Sequence, residues 1–374
     1  MQFERVHAGV VLTERHSFEG LDGLRGVAAF AVVLHHASNR LTSAPLAVDL
    51  FFALSGFVID YAYRQRLVEG ALSAVGFGLE RLVRLYPLYL YGLLIAIIVQ
   101  AVRTAAGEAN WTWGLLAQCA GLELFFLPRF ETFPPFRVFP LDTNFWSLFF
   151  EVLVNALYVL RRWAQRDIVI ITLAGLGMFV GAAYIAHTPF LGWQTDRFVG
   201  GFPRALFSFF LGVGLQRAWA AGILPPIRVP FLALAVITFG LFVFAPAKQQ
   251  TLYNFGFILI ASPAIIGVAA MSSVETWMRP LARWLGRISY ALYVVHFPLI
   301  DGLQAAYNLL LGRPVVAQTP IWLVFPIALT SVLVAHFSTR FFDEPVRAKL
   351  KPMVRRVSGG AKIQSPEESA RATI

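Results

Sequence analysis

An arginine and two adjacent histidines lie inside one apolar segment near the start of the chain, residues 18–40. Arg25 and His36 are eleven residues apart, so on a helix they fall within roughly 20° of one face, about 16 Å apart along the axis. A guanidinium carries a permanent charge and a planar set of donors that suits phosphate, whereas an imidazole exchanges protons near neutral pH. The spacing therefore predicts a groove with an anion-binding mouth at Arg25 and a proton acceptor at His36.

The neighbours of this pair are weaker candidates. Asp22 lies fourteen residues before His36, on nearly the same helical face, and is predicted to contact substrate. His35 points about 100° away from that face. The alternative interpretation is structural: Arg25 extends to the membrane interface, and His36 hydrogen-bonds within a helix bundle.

Two further ionisable residues lie near the middle of apolar segments. Glu151 occurs in NFWSLFFEVLVNALYVL and His296 in ISYALYVVHFPLI. A carboxylate and two histidines at one depth could form a polar centre with a base and an orienting acid, so we assign catalytic roles to His36, Glu151 and His296. Each could instead be a hydrogen-bonding group between helices.

The segment ERLVRLYPLYLY places Arg81 and Arg84 about one helical turn apart. They are predicted to bind phosphate beside Arg25. Ordinary anchoring of a helix by cytoplasmic arginines is the alternative.

In DLFFALSGFVID, the Ser55-Gly56 pair favours close helix packing over a nucleophilic serine, because the chain has no GxSxG turn.

The composition indicates an all-α, polytopic transmembrane helix bundle. Of 374 residues, 57% are hydrophobic and 14% are charged, and the mean hydropathy is +0.65. Apolar runs predict ten spans, near residues 24–40, 46–63, 85–102, 143–160, 168–187, 200–216, 229–246, 251–271, 286–304 and 320–340.

One more apolar stretch, residues 114–128, is short, contains Glu123 and ends in proline. Placing it as a re-entrant or interfacial segment puts most arginines on the side of the N-terminus, as the positive-inside rule requires, and leaves both termini cytoplasmic. We expect residues 1–350 to form a single membrane-embedded domain, followed by a basic, disordered cytoplasmic tail at 351–374.

The charge and cysteine content limit the possible partners. A net charge of +10 could indicate nucleic acid, but in a membrane protein it favours cytoplasmic Lys and Arg facing anionic lipid. We therefore expect membrane lipid and no nucleic acid. Cys119 is the single cysteine and no HExxH spacing occurs, so neither an internal disulfide nor a metal site is expected.

Together these motifs resemble the acyltransferase-3 family of integral-membrane O-acyltransferases. The resemblance runs in order from about residue 18 to 347 and rests on LDGLRGVAAFAVVLHH, DLFFALSGFVI, RLVRLYPLY, FWSLFFE, SYALYVVHFP and FFDEPVR. One difference is Phe149-Phe150 before Glu151, where many members of the family carry a small or polar residue and a second glutamate.

The resemblance implies transfer of an acyl group, commonly acetyl from acetyl-CoA, onto a hydroxyl of a cell-surface carbohydrate or lipid-linked glycan in the bacterial inner membrane. It assigns the family's essential arginine and histidine to Arg25 and His36. The family's other site positions correspond to Arg81, Arg84, Trp146, Ser147, Glu151, Ser289, Tyr290 and His296. Four of them are expected to contact substrate: Trp146, Ser147, Ser289 and Tyr290.

A proton-coupled exporter of a glycolipid or small acid is the alternative function, because proton relays also use buried His, Glu and Arg.

Overall fold

The structure, a computed structural model, describes residues 17–107, 111–130, 136–246, 248–311 and 320–358. Most of these residues are helical and none forms a β-strand, as the composition predicts. The helices are α1 (Glu19–Ser38), α2 (Ala47–Val68), α3 (Ala74–Ala105), α4 (Trp113–Leu124), α5 (Phe145–Val159), α6 (Gln165–Ala186), α7 (Gly201–Ala220), α8 (Phe231–Val243), α9 (Gln250–Gly256), α10 (Ser262–Met271), α11 (Arg279–Leu311), α12 (Ile321–Ser338) and α13 (Glu344–Ser358). One π-helical segment joins α9 to α10 and another joins α12 to α13.

Five helices in the described part of the chain are long and apolar enough to cross a membrane: Ala44–Val68, Ala74–Ala105, Gln165–Ala186, Gln250–Met271 and Ile321–Val354. They correspond to five of the ten predicted spans. The other five predicted segments are also helical, but α5 and α8 are shorter, and α1 begins with charged residues. The predicted count of ten spans is therefore not confirmed, although the apolar helices indicate a membrane protein.

The predicted re-entrant stretch contains α4, a helix of 12 residues. At 1.5 Å per residue it is about 18 Å long, shorter than the ~30 Å hydrocarbon core. Glu123 is fully buried there, and its Oε1 accepts the N–H of Leu141 at 2.9 Å. The carboxylate thus fastens α4 to the loop that precedes α5.

The end of the chain continues as helix further than the sequence suggests. α13 runs through Pro352 to Ser358, so the first residues of the predicted disordered tail are helical. Residues 359–374 lie outside the described part of the chain.

Two glycines allow α2 and α7 to touch along their backbones. A Cβ on Gly56 would lie 1.9 Å from the carbonyl oxygen of Phe209, and one on Gly212 would lie 1.9 Å from that of Ala53. Gly56 therefore serves close packing, which is the structural interpretation of this motif.

Replacing Gly56 with alanine is expected to destabilise the protein by about 1–3 kcal/mol, because the new methyl group must push two helix backbones apart. Thermal unfolding of the purified protein in detergent measures the effect. The matched control is Gly78→Ala in α3, where an added Cβ would meet nothing within 4 Å. Equal melting temperatures for the two variants would contradict the packing argument.

α1 and α11 run side by side in the same direction. A Cβ on Gly26 would lie 2.5 Å from Leu285 Cβ, and one on Gly286 would lie 2.6 Å from Asp22 Cβ. Because glycines face the partner helix on both sides, the helices approach closely. This contact brings the ionisable residues of α1 against those of α11.

Candidate active site

Two cavities adjoin each other along α1, α2, α5 and α11. The larger has a volume of about 700 Å³ and contains His36 in its wall. The smaller has a volume of about 120 Å³ and contains Arg25 in its wall. Val48 and Tyr293 line both cavities. The predicted groove of α1 is thus two compartments that share a wall, and Arg25 and His36 belong to different ones.

His36 and His296 form a direct pair. Nδ1 of His36 lies 2.8 Å from Nε2 of His296, and the rings stack with their centroids 5.1 Å apart. Nδ1 of His296 lies 2.8 Å from the carbonyl oxygen of Leu292, which can only accept a hydrogen bond. A neutral His296 therefore carries its proton on Nδ1 and accepts at Nε2.

That arrangement fixes the tautomer of His36. Because His296 Nε2 accepts, Nδ1 of His36 donates to it, and the lone pair of a neutral His36 is on Nε2. Within the described residues this Nε2 makes no hydrogen bond, and the ring lines the larger cavity. His36 Nε2 is therefore placed to accept a proton from a molecule in that cavity.

The loop before α5 adds an amide to the histidine pair. Nδ2 of Asn144 lies 3.3 Å from His296 Nε2. The backbone N–H of Asn144 in turn donates to Asp142 Oδ1 at 2.9 Å, and burial raises the pKa of the Asp142 carboxyl well above its usual value. Asp142 therefore positions Asn144, whose amide lies beside the histidine pair.

The smaller cavity is basic. Arg25, Arg81, Arg84 and Glu151 are its charged lining residues, so the positive charges exceed the negative ones by two, the same excess as among the charged residues that line the larger cavity. Arg25 Nε donates to Ser289 Oγ at 2.9 Å, and its guanidinium also pairs with Asp22 at 3.0 Å. Across the described ranges, the Arg84 guanidinium forms no hydrogen bond or ion pair. Such a cluster can bind an anionic ligand.

Glu151 lies in the basic cavity. Its Oε1 accepts from Arg81 at 2.8 Å and from Ser55 Oγ at 2.9 Å. The three residues predicted from their depth to form one polar centre therefore lie in two places. His36 and His296 contact each other, whereas the Glu151 carboxylate binds an arginine of α3. Depth along a helix does not determine which side of the helix a residue occupies, and that is the reason for the difference.

The residues expected to contact substrate are distributed over both compartments. Trp146 lines the larger cavity, whereas Ser147, Ser289 and Tyr290 line the smaller one. The Tyr290 hydroxyl donates to the carbonyl of Leu85 at 2.8 Å. Asp22 lines neither cavity and is the ion-pair partner of Arg25. The catalytic and binding roles of all these residues stay predictions.

Three residues at the site did not emerge from the sequence. Tyr293 and Asn144 carry polar groups beside the histidine pair, and Arg204 lines the larger cavity. Tyr293 could have been found by spacing, because Ser289, Tyr293 and His296 follow the i, i+4, i+7 pattern of one helix face. No spacing in the sequence indicates Asn144 or Arg204, because Asn144 lies in the loop before α5 and Arg204 lies on α7, far from the other site residues along the chain.

The chain matches the acyltransferase-3 family, described as an acyltransferase domain, over residues 18–339. It is 26% identical over 368 residues to the protein named peptidoglycan O-acetyltransferase OatA of Listeria monocytogenes, covering 87% of this chain and 55% of that protein. It is 26% identical over 374 residues to O-acetyltransferase OatA of Staphylococcus aureus, covering 88% and 57%. Protein 2 in picA locus of Rhizobium radiobacter is 37% identical over 180 residues, covering 44% of this chain and 93% of that protein.

The chain spans somewhat more than half the length of the two OatA relatives that it matches. No solved structure matches it. The family match covers most of the chain and includes the arginine–histidine segment of α1, the arginines of α3 and the histidine of α11. This chain therefore belongs to the acyltransferase-3 family.

Proposed function

We propose that this protein transfers an acyl group, acetyl in the first instance, from acyl-CoA to a hydroxyl of a cell-surface carbohydrate or lipid-linked glycan in the bacterial cytoplasmic membrane. The single observation that carries the proposal is the pairing of two compartments. A cavity lined by Arg25 and by Arg84, whose guanidinium forms no hydrogen bond or ion pair in the described part of the chain, adjoins a cavity in which His36 Nε2 can accept a proton.

The donor is assigned to the basic cavity. CoA carries several phosphates and a long, thin thioester arm, so its phosphates would bind at the mouth near Arg25 and Arg84, and the arm would point inward. If both chain termini are cytoplasmic, as the distribution of arginines predicts, this mouth faces the compartment that contains CoA.

The acceptor is assigned to the larger cavity. Its wall includes Trp146, Phe190, Trp193 and Phe297, and aromatic rings of this kind can cover the apolar face of a sugar. The OatA relatives are named as O-acetyltransferases, one of them for peptidoglycan, which supports a glycan acceptor.

The reaction would be a direct acyl transfer. The acceptor oxygen attacks the thioester carbonyl carbon, a C–O bond forms, and the C–S bond breaks. His36 Nε2 takes the hydroxyl proton and passes it to the departing CoA thiolate, so the products are an O-acyl ester and free CoA. His296 acts as a positioning residue that holds the His36 tautomer.

Incubation of membranes containing the protein with radiolabelled acetyl-CoA tests this function. We expect base-labile label on the glycan fraction, and no label from membranes without the protein. Movement of a glycolipid driven by a pH gradient, with no requirement for acyl-CoA, would instead indicate the exporter.

Replacing Arg84 with glutamine is expected to raise the KM for acetyl-CoA about tenfold or more, because a charge-assisted contact to phosphate contributes about 1.5–3 kcal/mol. Acetyl-pantetheine, which has the thioester arm but no phosphate, should be used equally well by the variant and the wild type. The matched control is Arg66→Gln, since Arg66 pairs with Glu80 at 2.6 Å and lines neither cavity. An equal loss with both donors would show that Arg84 does not bind phosphate.

A further inference from the structure

A third cavity lies away from both compartments of the candidate active site. It has a volume of about 230 Å³ and shares no lining residue with either of them. Its charged lining residues are all arginines: Arg64, Arg161, Arg162 and Arg217. No aspartate or glutamate lines it, so a molecule in this cavity contacts positive charge only.

Two of the four arginines already have carboxylate partners. Arg217 forms its ion pair at 3.3 Å and Arg161 forms its own at 2.9 Å. In the described part of the chain, Arg64 and Arg162 form no hydrogen bond or ion pair. Two guanidinium groups at the cavity therefore have donors available for a ligand.

Arg217 forms the buried end of the cavity and is held in place. Its Nε and Nη2 donate to the two carboxylate oxygens of Asp60 at 3.3 Å, and its Nη1 donates to the carbonyl of Trp163 at 2.9 Å. The Tyr158 hydroxyl also donates to Asp60, at 2.8 Å. Because Nη1 and Nη2 each carry a second N–H, Arg217 can still donate to a ligand.

The cavity lies at the ends of apolar helices. Val68 is the last residue of α2 and Ala74 is the first of α3, and both of these helices are long and apolar enough to cross a membrane. Val159, the last residue of α5, lines the cavity together with them. The ends of membrane-crossing helices lie at the level of the lipid head groups, so the cavity is expected at that level.

The same end of the bundle contains the start of α1. Phe18, directly before α1, packs edge-on against Tyr61 of α2 and Trp219 of α7, with ring centroids 4.9 and 5.0 Å apart. These two rings are within one helical turn of Arg64 and Arg217. The third cavity therefore lies at the end of the bundle where α1 begins.

Apolar side chains stand beside the arginines. Leu160 is 76% exposed and Val68 is 48% exposed, and both line the cavity. The Arg161 guanidinium lies 5.5 Å from the centre of the Trp163 ring. A small soluble anion would leave the leucine and valine uncovered, whereas a phospholipid has a phosphate for the arginines and methylene groups for the apolar side chains.

We infer that this cavity binds the phosphate head group of an anionic phospholipid from the surrounding bilayer. The phosphate accepts hydrogen bonds from Arg64, Arg162 and Arg217, and the first methylenes of the lipid contact Val68 and Leu160. At ~30 Å³ per water molecule the volume corresponds to roughly seven waters, which is room for a phosphate and its glycerol, while the acyl chains stay in the bilayer. This lipid site is additional to acyl transfer and does not depend on it.

Binding of fluorescently labelled phosphatidylglycerol to the full-length protein in uncharged detergent tests the inference. We expect saturable binding, weakened about tenfold or more by Arg64→Gln combined with Arg162→Gln, because both substitutions remove charge-assisted hydrogen bonds to phosphate. Phosphatidylcholine carries the same phosphate beside a positive choline and should bind at least tenfold more weakly. Melting temperatures establish that each variant is folded.

The matched control is Arg283→Gln combined with Arg287→Gln. These arginines are 62% and 61% exposed, line none of the three cavities, and lie near the start of α11, where Arg283 pairs with Glu19 of α1. The control should bind phosphatidylglycerol as wild type does. Equal weakening in both double variants would show attraction by net charge alone and overturn the site. Undiminished binding by the Arg64, Arg162 variant, or no binding by wild type, would also overturn it.

Competition with soluble phosphates distinguishes the lipid from other ligands. Inorganic phosphate and acetyl-CoA, each at tenfold excess over labelled phosphatidylglycerol, should leave the lipid bound, because neither covers the apolar side chains at the cavity. Displacement of the lipid by either compound at that excess would overturn the assignment to a phospholipid.

Discussion

Replacing His36 with glutamine is expected to lower acyl transfer from acetyl-CoA by about 10²- to 10⁴-fold, the usual contribution of a positioned general base. Glutamine keeps a polar side chain in the wall of the larger cavity, but it has no nitrogen that can take a proton. The partner side chains remain, because His296 is held independently by the Leu292 carbonyl at 2.8 Å. Initial rates at saturating acetyl-CoA, with glycan as acceptor, measure the loss.

The control for this variant is another histidine of the bundle. His336 of α12 accepts from the indole Nε1 of Trp284 at 3.2 Å and lines neither cavity. His336→Gln should leave transfer close to that of wild type. A folded His36→Gln protein with undiminished activity would remove His36 from the chemistry, whatever the effect at His336.

Replacing Asp49 with alanine is expected to lower the free energy of unfolding by about 3–5 kcal/mol, because it leaves a buried guanidinium without its counter-ion. Arg204 binds both carboxylate oxygens of Asp49, at 2.9 and 2.6 Å, and each side chain is 1% exposed. The same guanidinium donates to the Leu191 carbonyl at 3.1 Å, so the pair fastens α2 and α7 to the loop at the larger cavity.

Thermal unfolding in detergent measures this loss, and two further variants define its cause. The double variant Asp49→Leu with Arg204→Met should recover much of the stability, because apolar groups of similar size can replace a buried ion pair. Asp196→Ala, which removes an exposed partner of Arg197, should cost less than about 1 kcal/mol. A melting temperature for Asp49→Ala equal to that of wild type would contradict the account of the pair.

The apolar pattern predicts where helices lie better than where they begin and end. Each of the ten predicted segments falls on a helix, yet α3 begins at Ala74 and α11 at Arg279, well before the predicted starts at 85 and 286. α11 begins with Arg279 and Arg283, and α3 carries Arg81 and Arg84 just before the predicted start at residue 85. A search for apolar runs stops at such charged residues although the backbone continues as helix.

The contacts within one helix were predictable from the residues, and the contacts between helices were not. The 100° rule places Arg25 and His36 on one face, and both side chains do meet α11, at Ser289 and His296. Nothing in the local sequence shows that Arg81 binds Glu151, because that pair joins α3 to α5 across 70 residues of chain. For the same reason the sequence does not reveal that Tyr293 lines two cavities.

The most direct test of the account is sided acyl transfer in proteoliposomes with the protein in one known orientation. Labelled acetyl-CoA is supplied on one face only, with glycan acceptor present on both. Label should appear on glycan when the donor is on the face that carries the mouth at Arg25 and Arg84, and should be absent when it is on the opposite face. Equal labelling from either face, or labelling only from the His36 face, would contradict the assignment of the donor to the basic cavity.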